Sequence, residues 1–322
     1  MNKFCILAAG KGTRATKYSG LHKGLLPLEN KPVISHILEH VSKEIPIVIA
    51  VGHLKEQLVS YVKHVHSDRD IEFVEIDNYD GEGSGPGLSL YKCKDLLQCP
   101  YIFTSVDTLC DVPMDWSRNW LATSWVVNKK YCLIKANVFG PGRSGYFSEP
   151  QKPSTFNTFY YEPTQYGDEA YTGIAGVNDY KTFWERLSEK KIIQGEYQVV
   201  HGFDDSFYLE STNTWFDTGD DKSYKSTLNW HQNNVARPNI VCPKEDEILY
   251  IDNGWVVKYH VKASTTTLKL IRSKFLPGVP EVCSINDNMY AYKYQSGELL
   301  SNVYDASVLQ SFLEYYHVQY AD

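Results

Sequence analysis

Residues 6–28 read ILAAGKGTRATKYSGLHKGLLPL. The run opens as an apolar strand, breaks at Gly10 and Gly12, and then spends Lys11, Arg14, Lys17 and Lys23 among mostly uncharged neighbours. A short apolar run ending in glycine is the mark of a buried parallel strand. Glycines at its end let backbone approach a ligand, and the N–H groups around them form a nest for phosphate oxygens. This is not a Walker A loop, because Gly12 rather than Lys-Ser/Thr follows Lys11. Nor is it a dinucleotide fingerprint, since a third glycine is missing and no Asp or Glu ends the second strand. Taken alone, the turn reads as a tight strand-to-helix connection with solvated lysines, so its surroundings must decide.

Outward from that stretch the chain alternates strand and helix patterns. Lys3 to Ala9 is followed by a helix from Pro32, with Val33, Ile34, Ile37, Leu38 and Val41 at helical spacing. Ile45 to Val51 reads as a second buried strand, then a helix through Leu54, Leu58 and Val62, then a strand from Ile71 to Ile76. Ser84 to Leu97 reads as a helix entered from a glycine-rich loop, and the strand Tyr101 to Thr104 stops just before Asp107. This rhythm predicts an α/β fold with an open parallel sheet and ligand at the carboxyl ends of its strands.

The middle changes texture. Trp125 to Val138 reads as one or two long strands, Tyr171 to Val177 as an apolar strand, and Asp179 to Leu187 as a helix. TWFDTGD (214–220) precedes a helix with Tyr224, Leu228 and His231. The segment NNVARPNIVCPKEDE (233–247) looks like a linker. Beyond it, EILYIDNGWVVKYH predicts a hairpin around Asn253-Gly254, with a helix near Thr265 to Phe275 and strands near Val282 and Met289 to Tyr294. The expected organisation is a first domain over 1–233, a linker over 234–245, and a small α+β segment over 246–322.

With 322 residues and 43% hydrophobic content, the chain has ample material for a core. A net charge of -7 argues against bulk nucleic-acid binding, which wants a basic face, but leaves a locally positive phosphate site open. Seven cysteines without a C-x-x-C pair read as reduced thiols rather than disulfides or a zinc site. No membrane span or signal region stands out, so a cytoplasmic protein is expected.

The pair LAAGKGTR and HKGLLPLENKPVI resembles the signature of the nucleotidyltransferase superfamily, which includes sugar-1-phosphate nucleotidylyltransferases and phosphocholine cytidylyltransferases. The resemblance covers roughly residues 3 to 231. It implies a Rossmann-like, mainly parallel sheet flanked by helices, GT-A-like, with inserted mixed strands. It also implies attack of a phosphomonoester on the α-phosphate of an NTP, with pyrophosphate released. By position, Leu7, Ala8, Ala9 and Gly10 would line the nucleoside, while Lys11, Gly12, Thr13 and Arg14 would cradle the triphosphate. Arg14 would sit on the leaving pyrophosphate and Lys23 on the α-phosphate. His22 departs from the pattern, because many members carry proline there; a packed or solvated side chain is its default role.

Asp107, just past an apolar strand, and Asp217, in W-x-D-T-G, match the family's magnesium carboxylates. Read from the residues alone, Asp107 is equally a turn former. GEGSGPGLSL supplies Gly83, Ser84, Gly85 and Gly87 as a base-recognition loop, although its composition alone suits a helix entry. On the acceptor side the resemblance points to Lys152, Tyr171, Thr172 and Gly173, each of which has an equal reading as loop or strand start. Asp111 reads as a loop acid, and Asp220 and Asp221 as caps of the next helix.

The tail resembles the N-terminal lobe of choline kinase and aminoglycoside phosphotransferase-like proteins, with Lys258 as the strand lysine that pairs ATP phosphates. No H-x-D or D-x-D segment follows, and the helix STTTLKLIRSKF offers no glutamate for Lys258. The expectation is the front part of a longer bifunctional protein, with a half-lobe that serves as an interaction module as the alternative. Together these readings point to a Mg²⁺-dependent nucleotidyltransferase that uses an NTP, CTP first, and a small phosphomonoester such as phosphocholine for surface polysaccharide or lipid decoration. The rivals are a sugar-1-phosphate uridylyl-, guanylyl- or thymidylyltransferase, a nucleotide-binding scaffold without catalysis, and a GT-A glycosyltransferase. The sequence leaves the oligomeric state open.

Overall fold

The buried apolar runs dictate the centre of the molecule. In the computed structural model, Lys3–Ala8 (β1) and Ile47–Val51 (β2) pair in parallel, with Phe4 opposite Ile47 and Ala8 opposite Val51. Every residue of β2 is buried, as a strand covered on both faces requires. The structure describes residues 2–12, 18, 20–125, 133–136, 145–147, 168–188, 192–193, 196–197, 199–203, 207–212, 214–234, 244, 246–276, 278–297 and 305–320.

Further strands of the first unit are Ile71–Glu75 (β3), Tyr101–Ser105 (β4), Thr108–Cys110 (β5), Trp120–Ser124 (β6), Leu133–Ala136 (β7), Gly145–Phe147 (β8), Asp168–Val177 (β9), Tyr208–Ser211 (β10) and Trp215–Asp217 (β11). The main sheet runs β8-β7-β9-β4-β1-β2-β3, and β6 joins β9 to β10. Its core β4-β1-β2-β3 is parallel, while β9 runs antiparallel to β4, β6 and β7. The expected mixed, mainly parallel sheet flanked by helices is what the chain forms.

Helices Val33–His40 (α1), Lys55–Val65 (α2), Pro86–Lys92 (α3), Tyr180–Ser188 (α4) and Asp221–Asn234 (α5) follow the predicted order. On the α3/α4 face, Cys5, Leu7, Val48, Tyr101 and Phe103 pack with Leu90, Phe183, Trp184 and Leu187 in one cluster. Trp184 stacks on Tyr101 at 5.3 Å between ring centroids and donates its indole N–H to Leu97 O at 3.1 Å.

Two element boundaries that differ from the sequence reading are those of α3 and β9. The helix expected over Ser84 to Leu97 runs only over Pro86–Lys92, because Gly85 at φ 131 and Pro86 fix its start and a 3₁₀ turn over Lys94–Leu96 follows it. Of the one or two strands expected over Trp125 to Val138, residues 126–132 and 137–138 lie outside the described residues, and Leu133–Ala136 within that span is a strand. Before it, the buried Trp120–Ser124 forms a strand paired on both sides, which the sequence reading did not pick out, and Trp125 is 52% exposed. β9 starts at Asp168 instead of Tyr171, and buried Glu169 accepts hydrogen bonds from Thr123 Oγ1 and, at 2.8 Å, from Ser211 Oγ.

The chain packs as two units, Met1–Leu26 with Pro32–Trp230, and Pro27–Lys31 with His231–Asp322. In the second, Glu247–Asp252 (β12), Trp255–His260 (β13), Val282–Asn286 (β14) and Met289–Lys293 (β15) form an antiparallel sheet ordered β12-β13-β15-β14. Asn253 and Gly254 take φ 44 and 75, the left-handed pair that a two-residue hairpin turn needs. Ala263–Ser273 (α6) falls close to its expected place, and Ala306–Tyr320 (α7) is an additional helix. No helix among the described residues is long and apolar enough to cross a membrane.

Gly176 lies opposite Trp120 in the β9–β6 register, and a Cβ there would overlap the indole nitrogen. Gly176→Ala should therefore lower stability by roughly 1–3 kcal/mol, read as a lower urea midpoint with an unchanged m-value. An unaltered midpoint would mean that the indole has room to move.

Candidate active site

At the end of β1 the buried residues Leu7, Ala8 and Ala9 bring the backbone to the sheet's carboxyl edge. Val106 N–H donates to Leu7 O at 3.1 Å and His53 N–H to Ala9 O at 2.9 Å, fixing the strand end from two neighbouring crossovers. The turn that follows is shaped to admit one side chain. A Cβ on Gly12, which sits at φ +61, would lie 3.4 Å from Lys23 Cδ, and one on Gly10 would lie 3.9 Å from Lys23 Nζ. Lys23 thus runs along the glycine turn. Thr13 and Arg14 lie outside the described residues.

Lys23 Nζ reaches Asp107 Oδ2 at 3.1 Å, with side chains 15% and 19% exposed. Asp107 follows β4, and its carbonyl accepts from Thr218 N–H at 2.8 Å and Thr218 Oγ1 at 3.2 Å. The same segment delivers the second carboxylate. β11 pairs antiparallel with β5, setting Asp217 opposite Thr108, and Asp217 Oδ1 accepts from Gly219 N–H at 2.7 Å. A Cβ on Gly219 would lie 3.0 Å from Asp217 Oδ1 and 3.1 Å from Asp107 Oδ2. Two carboxylate oxygens and a lysine therefore converge on a spot left clear by a glycine. Among the described residues no cluster of three or more His, Cys, Asp or Glu is arranged to hold a metal. Two carboxylates suffice for Mg²⁺ when substrate phosphates and waters complete its shell, so the donor set fits that ion.

His22 is packed, 1% exposed, and both ring nitrogens are occupied. Nδ1 accepts from Gly24 N–H at 3.0 Å and caps the short 3₁₀ turn Lys23–Leu25. Nε2 therefore carries the proton and donates to Ala8 O at 2.9 Å. Burial pushes the imidazole pKa down to about 3, so the ring stays neutral at physiological pH.

The other sequence-derived candidates divide. Lys11 ion-pairs with Asp80, whose hydrogen bond raises the lysine pKa. Asp80 leads into the glycine-rich loop, where Gly83 and Gly85 take φ 81 and 131 and Ser84 Oγ donates to Gly81 O at 2.7 Å. Gly87 is buried inside α3. On the acceptor side, Thr108 Oγ1 donates to Thr172 O at 2.9 Å. Gly173, at φ +100, has Thr108 Oγ1 3.1 Å from where its Cβ would be. Thr172 and Gly173 thereby flank the residue after Asp107, with Tyr171 next to them in the irregular β9–β6 stretch. Lys152 lies outside the described residues. Asp111 is an exposed loop residue, and Asp220 caps α5 through Ser223 N–H at 2.9 Å. Sequence reasoning missed Thr218, Gly219, Asp80 and Gln57; only the first two carried a signal, inside the W-x-D-T-G run.

In the second unit, Lys258 Nζ pairs with Glu247 Oε1 at 3.0 Å, and His260 Nε2 lies 3.2 Å from Glu247 Oε2. The lysine's partner is thus on the adjacent strand β12, where the sequence reading had looked only at the helix.

Residues 4–122 match the family model of the MobA-like NTP transferase domain. The chain is 26% identical over 117 residues to the bifunctional protein GlmU of Methanococcus maripaludis, a match spanning 36% of this chain and 27% of that one. It is 48% identical over 59 residues to GlmU of Enterococcus faecalis, covering 18% and 12%. The matched part is therefore about a quarter or less of these relatives' length. Among solved structures, a UDP-glucose pyrophosphorylase complexed with UDP-glucose aligns at TM-score 0.55 and 19% identity, over 72% of this chain and 99% of the other. CTP:phosphocholine cytidylyltransferase from Streptococcus pneumoniae aligns at 0.52 and 19%, over 71% and 98%. These likenesses establish the shared fold.

The buried His22 carries a pH signature. Its folded pKa of about 3 lies below the ordinary 6.5, so between those values the unfolded chain binds the extra proton. The stability this residue contributes is complete above pH 6.5 and is lost as pH falls towards 3. Replacing His22 by Gln should flatten the stability–pH slope between pH 4 and 6 by up to about 1.4 kcal/mol per pH unit. Equal slopes in urea titrations of the two proteins would contradict the buried neutral ring.

Proposed function

We propose that this chain is a Mg²⁺-dependent nucleotidyltransferase that joins an NTP to a small phosphomonoester and releases pyrophosphate. The observation that carries the reading is the meeting of Lys23, Asp107 and Asp217 beside the Gly10–Gly12 turn. The family match over residues 4–122 and the shared fold of two nucleotide-activating enzymes support it.

An acceptor phosphate oxygen forms a new P–O bond to the α-phosphorus, and the bond from that phosphorus to the β-phosphate bridging oxygen breaks. The electron pair leaves with pyrophosphate. Lys23 lies along the turn that would seat the phosphates and supplies positive charge where the α-phosphate gains negative charge. Lys11 and Arg14 would face the β- and γ-phosphates; for Lys11 this means exchanging Asp80 for the nucleotide. Leu7 to Gly10 and the loop containing Gly83, Ser84, Gly85 and Gly87 would hold the nucleoside. Lys152, Tyr171, Thr172 and Gly173 would hold the acceptor. Magnesium held by Asp107 and Asp217 would neutralise phosphate charge.

CTP and a phosphorylated alcohol such as phosphocholine are the first pair to test, since a kinase-type partner domain would make such a phosphomonoester for the front domain to activate. The domain division is proposed as 1–233 for transfer, 234–245 as linker and 246–322 as a small kinase N-lobe-like segment. Activity on a sugar 1-phosphate is the second reading, favoured by the GlmU and UDP-glucose pyrophosphorylase likenesses. A cytoplasmic enzyme that supplies an activated precursor for surface polysaccharide or lipid decoration would suit either product.

Purified protein with Mg²⁺, each of the five common NTPs and a panel of phosphocholine-type and sugar 1-phosphate acceptors should release pyrophosphate with one combination. Silence across the panel would defeat the catalytic reading. With the active pair in hand, Asp107→Asn and Asp217→Asn should each lower kcat on the order of 100-fold or more. Gly219→Ala, which places a methyl between the two carboxylates, should also slow turnover and raise the Mg²⁺ requirement. Retention of full rate by all three would remove the carboxylates from the mechanism.

A further inference from the structure

The residue before Lys23 does more than fill space. Three parts of the first unit meet on His22: the end of β1 through Ala8 O, the 3₁₀ turn through Gly24 N–H, and α2 through Gln57. The His22 backbone N–H donates to Gln57 Oε1 at 2.9 Å, and Gln57 Nε2 donates to Gly20 O at 2.9 Å. Gln57 thereby clamps the loop on both sides of Leu21. The turn has little slack, since a Cβ on Gly24 would lie 2.9 Å from Val106 Cγ2 and 3.2 Å from His22 Nδ1.

We propose that His22 and Gln57 are positioning residues that set the backbone of Lys23, and through it the placement of the Lys23 ammonium over the glycine turn. The inference rests on the nucleotidyl-transfer reading of the site. Lysine is a flexible four-carbon stem, so its charge is aimed only as well as its Cα and first carbons are held. Here Lys23 Cβ and Cδ run 3.6 and 3.4 Å from the position a Cβ on Gly12 would take, so lifting the loop withdraws the stem from that channel. A shift of about 1 Å at a charge that stabilises the reacting phosphorus can cost about 100-fold in rate.

The backbone at His22 has φ -60 and ψ 133, values that proline also adopts. His22→Pro therefore suits the backbone of residue 22 itself while deleting all three hydrogen bonds. A residue that only supported the fold would lose stability on this change, with a rate loss independent of Lys23. A residue acting through Lys23 loses its kinetic effect once Lys23 is gone.

The test is a double-mutant cycle in the full chain, reading initial rates of pyrophosphate release, with melting temperatures alongside. His22→Pro, Gln57→Ala and Lys23→Ala are made singly, and the first two are each combined with the third. The expected singles at 22 and 57 lower kcat about 10-fold or more, with the nucleotide KM changed less than about 3-fold. In the Lys23→Ala background the same changes should cost less than about 2-fold. Gln57→Glu, which keeps the acceptor for His22 N–H but loses the donor to Gly20 O, should restore part of the rate lost in Gln57→Ala. Gln57→Ala leaves both ring bonds of His22 intact, so the cycle can be completed at that position even where His22→Pro does not fold. Losses that multiply regardless of Lys23, or that fall only on KM, would overturn the positioning role while leaving the transferase reading intact. A wild-type chain that releases no pyrophosphate with any nucleotide would overturn both.

Discussion

A lysine and an aspartate 84 positions apart in sequence meet beyond the end of the central strand, and the rest of the first unit serves to keep them there. Asp107 is carried by β4, locked against β1 by parallel pairing from Lys3–Tyr101 to Leu7–Ser105. Lys23 is carried by a loop of irregular backbone, and such backbone needs explicit partners for its polar groups. Those partners are His22, Gln57 and the strand end itself. The second carboxylate arrives by a separate route, the β5–β11 ribbon, which returns the chain to Asp107 more than a hundred residues later. Rigid strands set the acids, and a hydrogen-bonded loop sets the base.

Much of this was legible in the residues. Ile6 to Ala9 and Ile47 to Val51 announce buried parallel strands because no polar residue interrupts them. Gly10, Gly12, Asp107 and Asp217 stand out because each sits where a strand must end. What the pattern could not carry was the pairing of loops. Nothing near Gln57 in sequence says that its amide spans Gly20 and His22, since an isolated glutamine on a helix is ordinarily solvated. Lys11 with Asp80 is equally silent, because both belong to loops whose approach depends on the stacking of three strands. The departure at His22 read as incidental, yet the backbone there keeps a proline-like φ while the imidazole supplies bonds that proline lacks. Glu169 was hidden for the opposite reason: a polar residue at a strand start reads as loop until its hydroxyl partners on β6 and β10 are known.

The second unit teaches the same lesson about lysines. Lys258 lies on a strand as the sequence suggested, and its charge is met by Glu247 across the β12–β13 ladder, where the helix has no acid to offer. His260 shares that carboxylate and also contacts Thr266 Oγ1 at 3.1 Å on α6, tying helix to sheet. The result is a self-satisfied polar cluster within a small antiparallel unit. His22 in the first unit and His260 in the second each have a partner in place for both ring nitrogens, which is what their burial requires.

The central claim is that Lys23, Asp107 and Asp217 surround a phosphorus under attack by a phosphomonoester. The most direct measurement is phosphorus NMR of a single reaction in which the acceptor's phosphate carries a heavy-oxygen label. The account requires the label to appear in the new bridge and on the acceptor-derived phosphorus of a diphosphate-linked product, with unlabelled pyrophosphate released alongside. Label in the pyrophosphate, or a nucleoside diphosphate or orthophosphate in its place, would contradict it.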